Sequence, residues 1–249
     1  MKTRLDRWLS LLGVCSRSEA KDLIRKGAVQ LNGQTVRDPG AEADTESDAL
    51  LLRNQPLDGR VTRHVMLHKP AGLLTAARDR KQPTVMDLLP AVYASIGCMP
   101  VGRLDKDTSG LLIGTCDGEM NHRLLSPARH VDKVYEARVE GRLSGADIQA
   151  FMDGIPLADF TALPAQLEIL SVDAKTSLAR VTVREGKFHQ VKRMFAARRH
   201  VVLTLHRLSF GPLTLPSDLP EGSWRELTPQ ELSLLRQAAG MTPPRPDGK

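Results

Sequence analysis

The stretch Val101–Leu112, VGRLDKDTSGLL, sets two carboxylates, Asp105 and Asp107, beside Arg103 and Lys106 and ahead of Thr108, Ser109 and Gly110. An aspartate held near a fixed cation can act as a covalent nucleophile or as an acid–base group. Alone, such a string more often shapes a turn whose side chains cap backbone N–H groups. Competing chemistries fall away quickly. His64 and His68 would pair on a helix, but their segment reads as a strand, where they stand about 13 Å apart on one face. No metal site is therefore expected. The chain carries no G-x-x-x-x-G-K-S/T phosphate loop and no G-x-S-x-G elbow. Cys15, Cys98 and Cys116 are odd in number and far apart, which argues against a disulfide framework or a cysteine zinc site and fits a reducing cytoplasm.

Two further features bound the partner. Of the 249 residues, 41% are hydrophobic and 26% charged, as in ordinary globular chains, and no apolar run approaches the length of a membrane span. The net charge is +6, concentrated in two blocks. Residues 1–37 hold eight Lys/Arg against three Asp/Glu, and residues 184–207 hold seven against one, with an acidic stretch at 38–52. Blocks of this kind suit an anionic polymer. Aromatic content of 4% is too low for a single-strand binder built on many stacking platforms.

The elements that position these groups follow from periodicity. Leu5, Trp8, Leu9 and Leu12 have helical spacing, Gly13 ends that helix, and Ser16 with Glu19 forms a capping box for a second one. Arg17, Lys21 and Arg25 stack on its exposed face as a basic ridge. Asn32-Gly33, between alternating residues, signals a hairpin. Residues 54–63 read as a linker, rich in Pro, Gly and Asp. Beyond it, strands are expected at HVMLHKPAG, GLLIGTCDG, KVYEARVEG and LARVTVREG, and a helix at HQVKRMFAARRH. Without a regular βαβ rhythm, the fold class is α+β with a mixed, mainly antiparallel sheet. The expected division is 1–59, 60–237 and a disordered tail, 238–249.

From Arg4 through Val36 the sequence resembles the S4 RNA-binding domain, in helix order, helix start and Asn-Gly turn. The ordered set MLHKPAGLLT, GRLDKDTSGLL, KVYEARVEG and EGKFHQVKRMF resembles the pseudouridine synthases with an N-terminal S4 domain. The nearest branch is the RsuA type, which acts on small-subunit ribosomal RNA; sister enzymes of 23S rRNA have EGxNRxVRR where this chain has EGKFHQVKRMF. The resemblance implies the pseudouridine synthase fold behind a small S4 domain of two helices and short strands. It implies isomerisation of one uridine of 16S rRNA, uridine 516, in the cytoplasm, by a monomer without cofactor or membrane partner. Alternatives are a 23S rRNA synthase or a non-catalytic S4-type assembly factor. A glycosidase using both aspartates lacks aromatics to stack on sugar.

The reaction breaks the C1′–N1 bond, turns the uracil and joins C5 to C1′, so it needs a nucleophile and a way to hold a detached base. The resemblance gives the nucleophile's role to Asp105, attacking sugar C1′ or base C6. In a dry pocket such a carboxylate needs a compensating cation, and the family motif supplies Lys192, a point charge where others have a bidentate arginine. Tyr135 matches the tyrosine that stacks on the target base, and Asp107 is assigned to scaffold. Arg103, Lys69, His189, Gln190 and Arg193 are expected to meet RNA, as are Arg17, Lys21 and Arg25 of the ridge. Arg199 departs from the pattern, standing where relatives often carry glycine, which is preferred at a helix C-cap.

Overall fold

Leu5, Trp8, Leu9 and Leu12, none more than 5% exposed, are the buried stripe of the first helix, α1 (Leu5–Leu11), which follows a short strand β1 (Lys2–Arg4). The computed structural model describes residues 1–242. They divide into two compact units: 1–63 with 89–99 and 115–117, and the remainder. In the first unit, the Ser16 and Glu19 side chains reciprocally cap α2 (Arg17–Arg25), which buries Ala20 and Ile24. Asn32 and Gly33, both at positive φ (53° and 80°), turn β2 (Val29–Leu31) into β3 (Gln34–Val36), the geometry that a two-residue hairpin requires. β4 (Glu42–Asp44) pairs with β1, and β5 (Leu50–Leu52) joins β2 to β6 (Gln55–Leu57) in a four-stranded sheet.

The linker expected over 54–63 therefore begins later, because Gln55–Leu57 is a paired strand. Its Pro56 is tolerated since β6 is an edge. Nor is residue 59/60 a single cut: α3 (Ala91–Ser95), with Tyr93 only 2% exposed, belongs to the first unit. Trp8 fixes the chain at Gly59, its indole N–H donating to that carbonyl at 2.7 Å.

The second unit is α+β. Its strands are β7 (His64–Lys69), β8 (Met99–Val101), β9 (Ser109–Thr115), β10 (Lys133–Glu140), β11 (Gln166–Val172), β12 (Thr176–Val183), β13 (Val202–Phe210), β14 (Leu213–Thr214) and β15 (Trp224–Glu226). Among the described residues they form one sheet, ordered β11-β12-β10-β13-β9-β7-β15, with β14 on β13 and β8 on β9. β10, β12 and β13 pair antiparallel, whereas β9 runs parallel to β13, matching Ser109 to His206 and Gly110 to Arg207. Strict alternation along β12, buried at Ser177, Ala179, Val181 and Val183, shows one face covered.

Among the described residues four α-helices accompany the sheet: α4 (Gly118–Leu125), α5 (Gly145–Asp153), α6 (Gln190–Ala197) and α7 (Pro229–Ala238). Met66, Leu111, Ile113, Met120, Phe210 and Leu235 belong to one core cluster. The tail expected to be disordered from 238 is ordered at its start: Ala239 is fully buried and Met241 packs on the same core, while 243–249 lie outside the described residues. Arg199 takes the left-handed conformation (φ 66°) after α6, doing without glycine what glycine does most easily.

Gly110 is where β9 approaches β13 most closely. It sits at φ 109°, and an added Cβ would lie 2.3 Å from the Arg207 carbonyl oxygen and 2.5 Å from its nitrogen. Because both obstacles are backbone, neither can swing aside. Gly110→Ala should lower stability by about 3 kcal/mol or more, read as an early unfolding transition in a denaturant titration. A transition coincident with that of the parent would contradict this packing.

Candidate active site

The loop Gly102–Thr108 between β8 and β9 is held from beneath by side chains of other segments. Lys69, with no solvent exposure, ends β7 and donates to the carbonyls of Thr108 (2.8 Å), Pro70 (2.9 Å) and Lys106 (3.2 Å). Thr75 closes the other end, its hydroxyl donating to Leu104 O at 2.8 Å and accepting from Leu104 N at 3.2 Å. Gly72 N–H donates to Lys106 O at 2.7 Å. Ser109 Oγ lies 2.8 Å from His206 Nδ1 on β13. With its carbonyls drawn inward, the loop turns the carboxylates of Asp105 and Asp107 outward.

Lys69 was expected to meet RNA, and its burial corrects that: all three N–H groups are committed to backbone carbonyls, two of them in the loop. Burial pushes its pKa down to about 8, against the attraction of Asp107 and Asp105.

Lys192 meets both aspartates. Its Nζ lies 3.1 Å from Asp105 Oδ2 and 2.5 Å from Asp107 Oδ1, and His189 Nε2 is 3.5 Å from Asp105 Oδ1. Burial opposes the lysine's charge, but hydrogen bonds to Asp107 and Asp105 outweigh it and hold its pKa above the ordinary value. The same hydrogen bond from Lys192 holds Asp107 below the usual carboxylate range. Asp107 is thus more than part of a turn, since it shares the lysine with Asp105.

α6 positions these groups by burying its opposite face, Val191, Met194 and Phe195. Its start is fixed by His189 at positive φ (49°) and by Gln190, which is 4% exposed. The Gln190 side chain accepts from Lys187 N at 3.0 Å and donates to Glu185 at 2.7 Å. Gln190 is therefore a scaffold residue, correcting the expectation that it contacts RNA. Arg193 is ion-paired with Asp159 and lies over the Phe160 ring. His189 remains at the mouth.

A cavity of about 60 Å³, room for about two waters, joins Arg103, Leu104, Asp105, Tyr135, His189 and Lys192. Tyr135, 8% exposed, reaches it from β10, where the register shifts between Val134 and Tyr135, a device that re-aims a side chain. Carboxylate, cation and aromatic ring thus converge, suiting nucleophilic attack on a flat, uncharged heterocycle.

Sequence reasoning passed over Phe188, 75% exposed and stacked on the His189 ring with centroids 3.8 Å apart. An apolar residue interrupting a basic run, Lys187 to Arg193, was the available signal. In the first unit, Arg17 and Arg4 bind the fully buried Asp6, and Arg25 lies 3.7 Å from Asp22, so the α2 ridge is partly neutralised from within.

The RNA pseudouridylate synthase family matches residues 63–197, and the S4 domain matches residues 3–48. The chain belongs to the RNA pseudouridylate synthases. It is 40% identical over 234 residues to the ribosomal small subunit pseudouridine synthase A of Pseudomonas aeruginosa, covering 92% of this chain and 98% of that one. It is 37% identical to the ribosomal large subunit pseudouridine synthase B of Bacillus subtilis, covering 95% and 96%. A crystal structure of a pseudouridylate synthase, 34% identical, superposes with a TM-score of 0.65 over 93% of this chain and 99% of that one. Like its family, this pseudouridine synthase is an RNA-modifying isomerase, and no helix among its described residues is long and apolar enough to cross a membrane.

Lys69 gives this synthase a distinctive pH response. In the folded chain its proton leaves near pH 8, whereas an unfolded chain keeps it to about 10.5. The unfolded state binds more protons across that window, so the lysine's contribution to stability rises with pH. The neutral amine, however, has two N–H groups for three carbonyls, and the Asp105 loop loosens. Between pH 7 and 9 the single-turnover rate should fall several-fold while the unfolding free energy does not fall with it. A rate that stays flat, or that tracks unfolding, would refute this.

Proposed function

We propose that this synthase converts one uridine of 16S rRNA, uridine 516, to pseudouridine, with Asp105 as nucleophile. The observation that carries the reading is the convergence of Asp105, Lys192 and Tyr135 on one cavity. Asp105 attacks C1′ or C6 of the flipped-out nucleotide, and the C1′–N1 bond breaks. The detached uracil turns against the Tyr135 ring and C5 joins C1′ as the bond between Asp105 and the nucleotide breaks, while the C5 proton passes to solvent and N1 takes one up. Lys192 pairs with the carboxylate and aims it, with Asp107 taking up the rest of the lysine's positive charge. Arg103, exposed beside the cavity, and His189 steady the nucleotide, while Arg17, Lys21 and Arg25 anchor flanking RNA by phosphate contacts that carry little sequence information. The enzyme works as a monomer in the cytoplasm.

Support for the small subunit comes from Glu185–Phe195, EGKFHQVKRMF, which has the small-subunit pattern and not EGxNRxVRR. Similarity to the large-subunit enzyme of Bacillus subtilis, nearly as high, makes 23S rRNA the second reading. Pseudouridine mapping of both rRNAs, with and without the protein, separates them: loss at position 516 is expected, and loss confined to 23S rRNA would overturn the assignment.

The two aspartates should differ in kind. Asp105→Asn should lower the single-turnover rate at least about 10³-fold while RNA binds within about threefold of the parent. Asp107→Asn, which removes only a partner of Lys192, should cost about tenfold or less. Equal losses at both positions would contradict the division of roles.

A further inference from the structure

Beside Tyr135 lies a second cavity, of about 560 Å³, within the roughly 300–1,000 Å³ of small-molecule sites. It shares Arg103, Tyr135 and Lys187 with the Asp105 cavity. Leu125, Pro127, Leu163 and Phe210 supply apolar walls, and Lys133, Arg184 and Arg207 add positive charge. Glu185 is the one carboxylate of the lining, and its oxygens are taken: it accepts from Gln190 (2.7 Å) and from Leu163 N (2.8 Å), and pairs with Lys187 at 3.3 Å.

The charge imbalance is sharpest at Lys133 and Arg207. Arg207 is 1% exposed; its Nε donates to Leu111 O at 2.8 Å, and one terminal nitrogen has no hydrogen-bond partner. Lys133 Nζ donates to Val131 O at 2.8 Å. Both cations lie over the Phe210 ring, at 5.4 Å for Lys133 and 5.3 Å for Arg207. Burial and the neighbouring Arg207 push the Lys133 pKa down to about 8, against the attraction of Asp132 and Glu185. Asp132 is itself paired with Arg184 at 3.0 Å. A buried and a half-buried cation that share a ring and lack a dedicated carboxylate are costly unless an anion arrives.

We propose that this cavity is a subsite for the nucleotide next to the target uridine, its phosphodiester on Lys133 and its base against Leu125, Leu163 and Phe210. The proposal rests on the reading that the Asp105 cavity takes the target uridine, because the shared Arg103 and Tyr135 make the two cavities neighbours along one strand. Arg207 contributes charge from behind and not contact, since its terminal nitrogen is sealed off. A phosphodiester is preferred to a free base because apolar walls alone would leave the two cations unmatched.

The test measures affinity for the rRNA segment against salt concentration, using the full chain. Lys133→Gln should bind about tenfold more weakly, with the log–log salt slope reduced by about 0.7 to 0.9, one phosphate contact. Lys133→Arg should recover both. In a second arm, RNA carrying one neutral methylphosphonate linkage beside the target uridine should bind the wild type about tenfold more weakly and Lys133→Gln no more weakly than unmodified RNA does. An unchanged slope in Lys133→Gln, or Lys133→Arg as weak as Lys133→Gln, overturns the subsite. Should the variants fail to fold, a wild type indifferent to neutral linkages on both sides of the uridine overturns it equally. Wild-type turnover reports the underlying reading separately: an active enzyme with an indifferent Lys133 removes the subsite alone.

Discussion

Lys69 Nζ, closed off from solvent, gives its three N–H bonds to the carbonyls of Pro70, Lys106 and Thr108. A buried ammonium is costly when unpaired, so the loop around it has strong reason to keep those carbonyls pointing inward. That constraint decides where the side chains go. With the backbone drawn to Lys69 and pinned again at Thr75 and Gly72, Asp105 and Asp107 face outward together, and Lys192 on α6 can span both. The frame also explains Gly110, since only a residue without Cβ lets β9 lie against β13 while the loop stays clamped.

Charge in the cleft is arranged in two contrasting ways. At the mouth, Lys192 is matched by two carboxylates, which raises the lysine pKa. Beside Tyr135, Lys133 and Arg207 are left without a dedicated acid. A substrate with an uncharged base and a charged backbone sorts itself between these environments: the base meets the compensated site, the phosphate the uncompensated one. Desolvation strengthens both effects.

Much of this could be read from the residues. The capping box at Ser16 and Glu19, the Asn32-Gly33 hairpin and the buried stripe of α6 are local signals, set by nearest neighbours along the chain. Asp105 and Lys192 were found through their motifs, and the structure brings them to 3.1 Å. What escaped depends on burial, which no window of sequence reveals. Lys69 and Gln190 are polar residues beside recognised motifs, so RNA contact was a natural expectation for each, yet Lys69 is spent on backbone carbonyls and Gln190 on Lys187 N and the Glu185 carboxylate. Gln55–Leu57 escaped because its proline, harmless on an edge strand, reads as a breaker. Lys133 and Arg207 were passed over because single basic residues in alternating strands look solvent-facing.

The parallel register of β9 and β13 has a consequence for assembly. Ser109 and His206, bonded across it, are 97 residues apart, and strand β13 ends at Phe210. A chain emerging from the ribosome has its Asp105 loop in hand long before the strand that braces it. Contacts so distant in sequence form slowly and late, because a long loop must close first. Until β13 is made, the chain holds the Asp105 loop but not the strand that braces it.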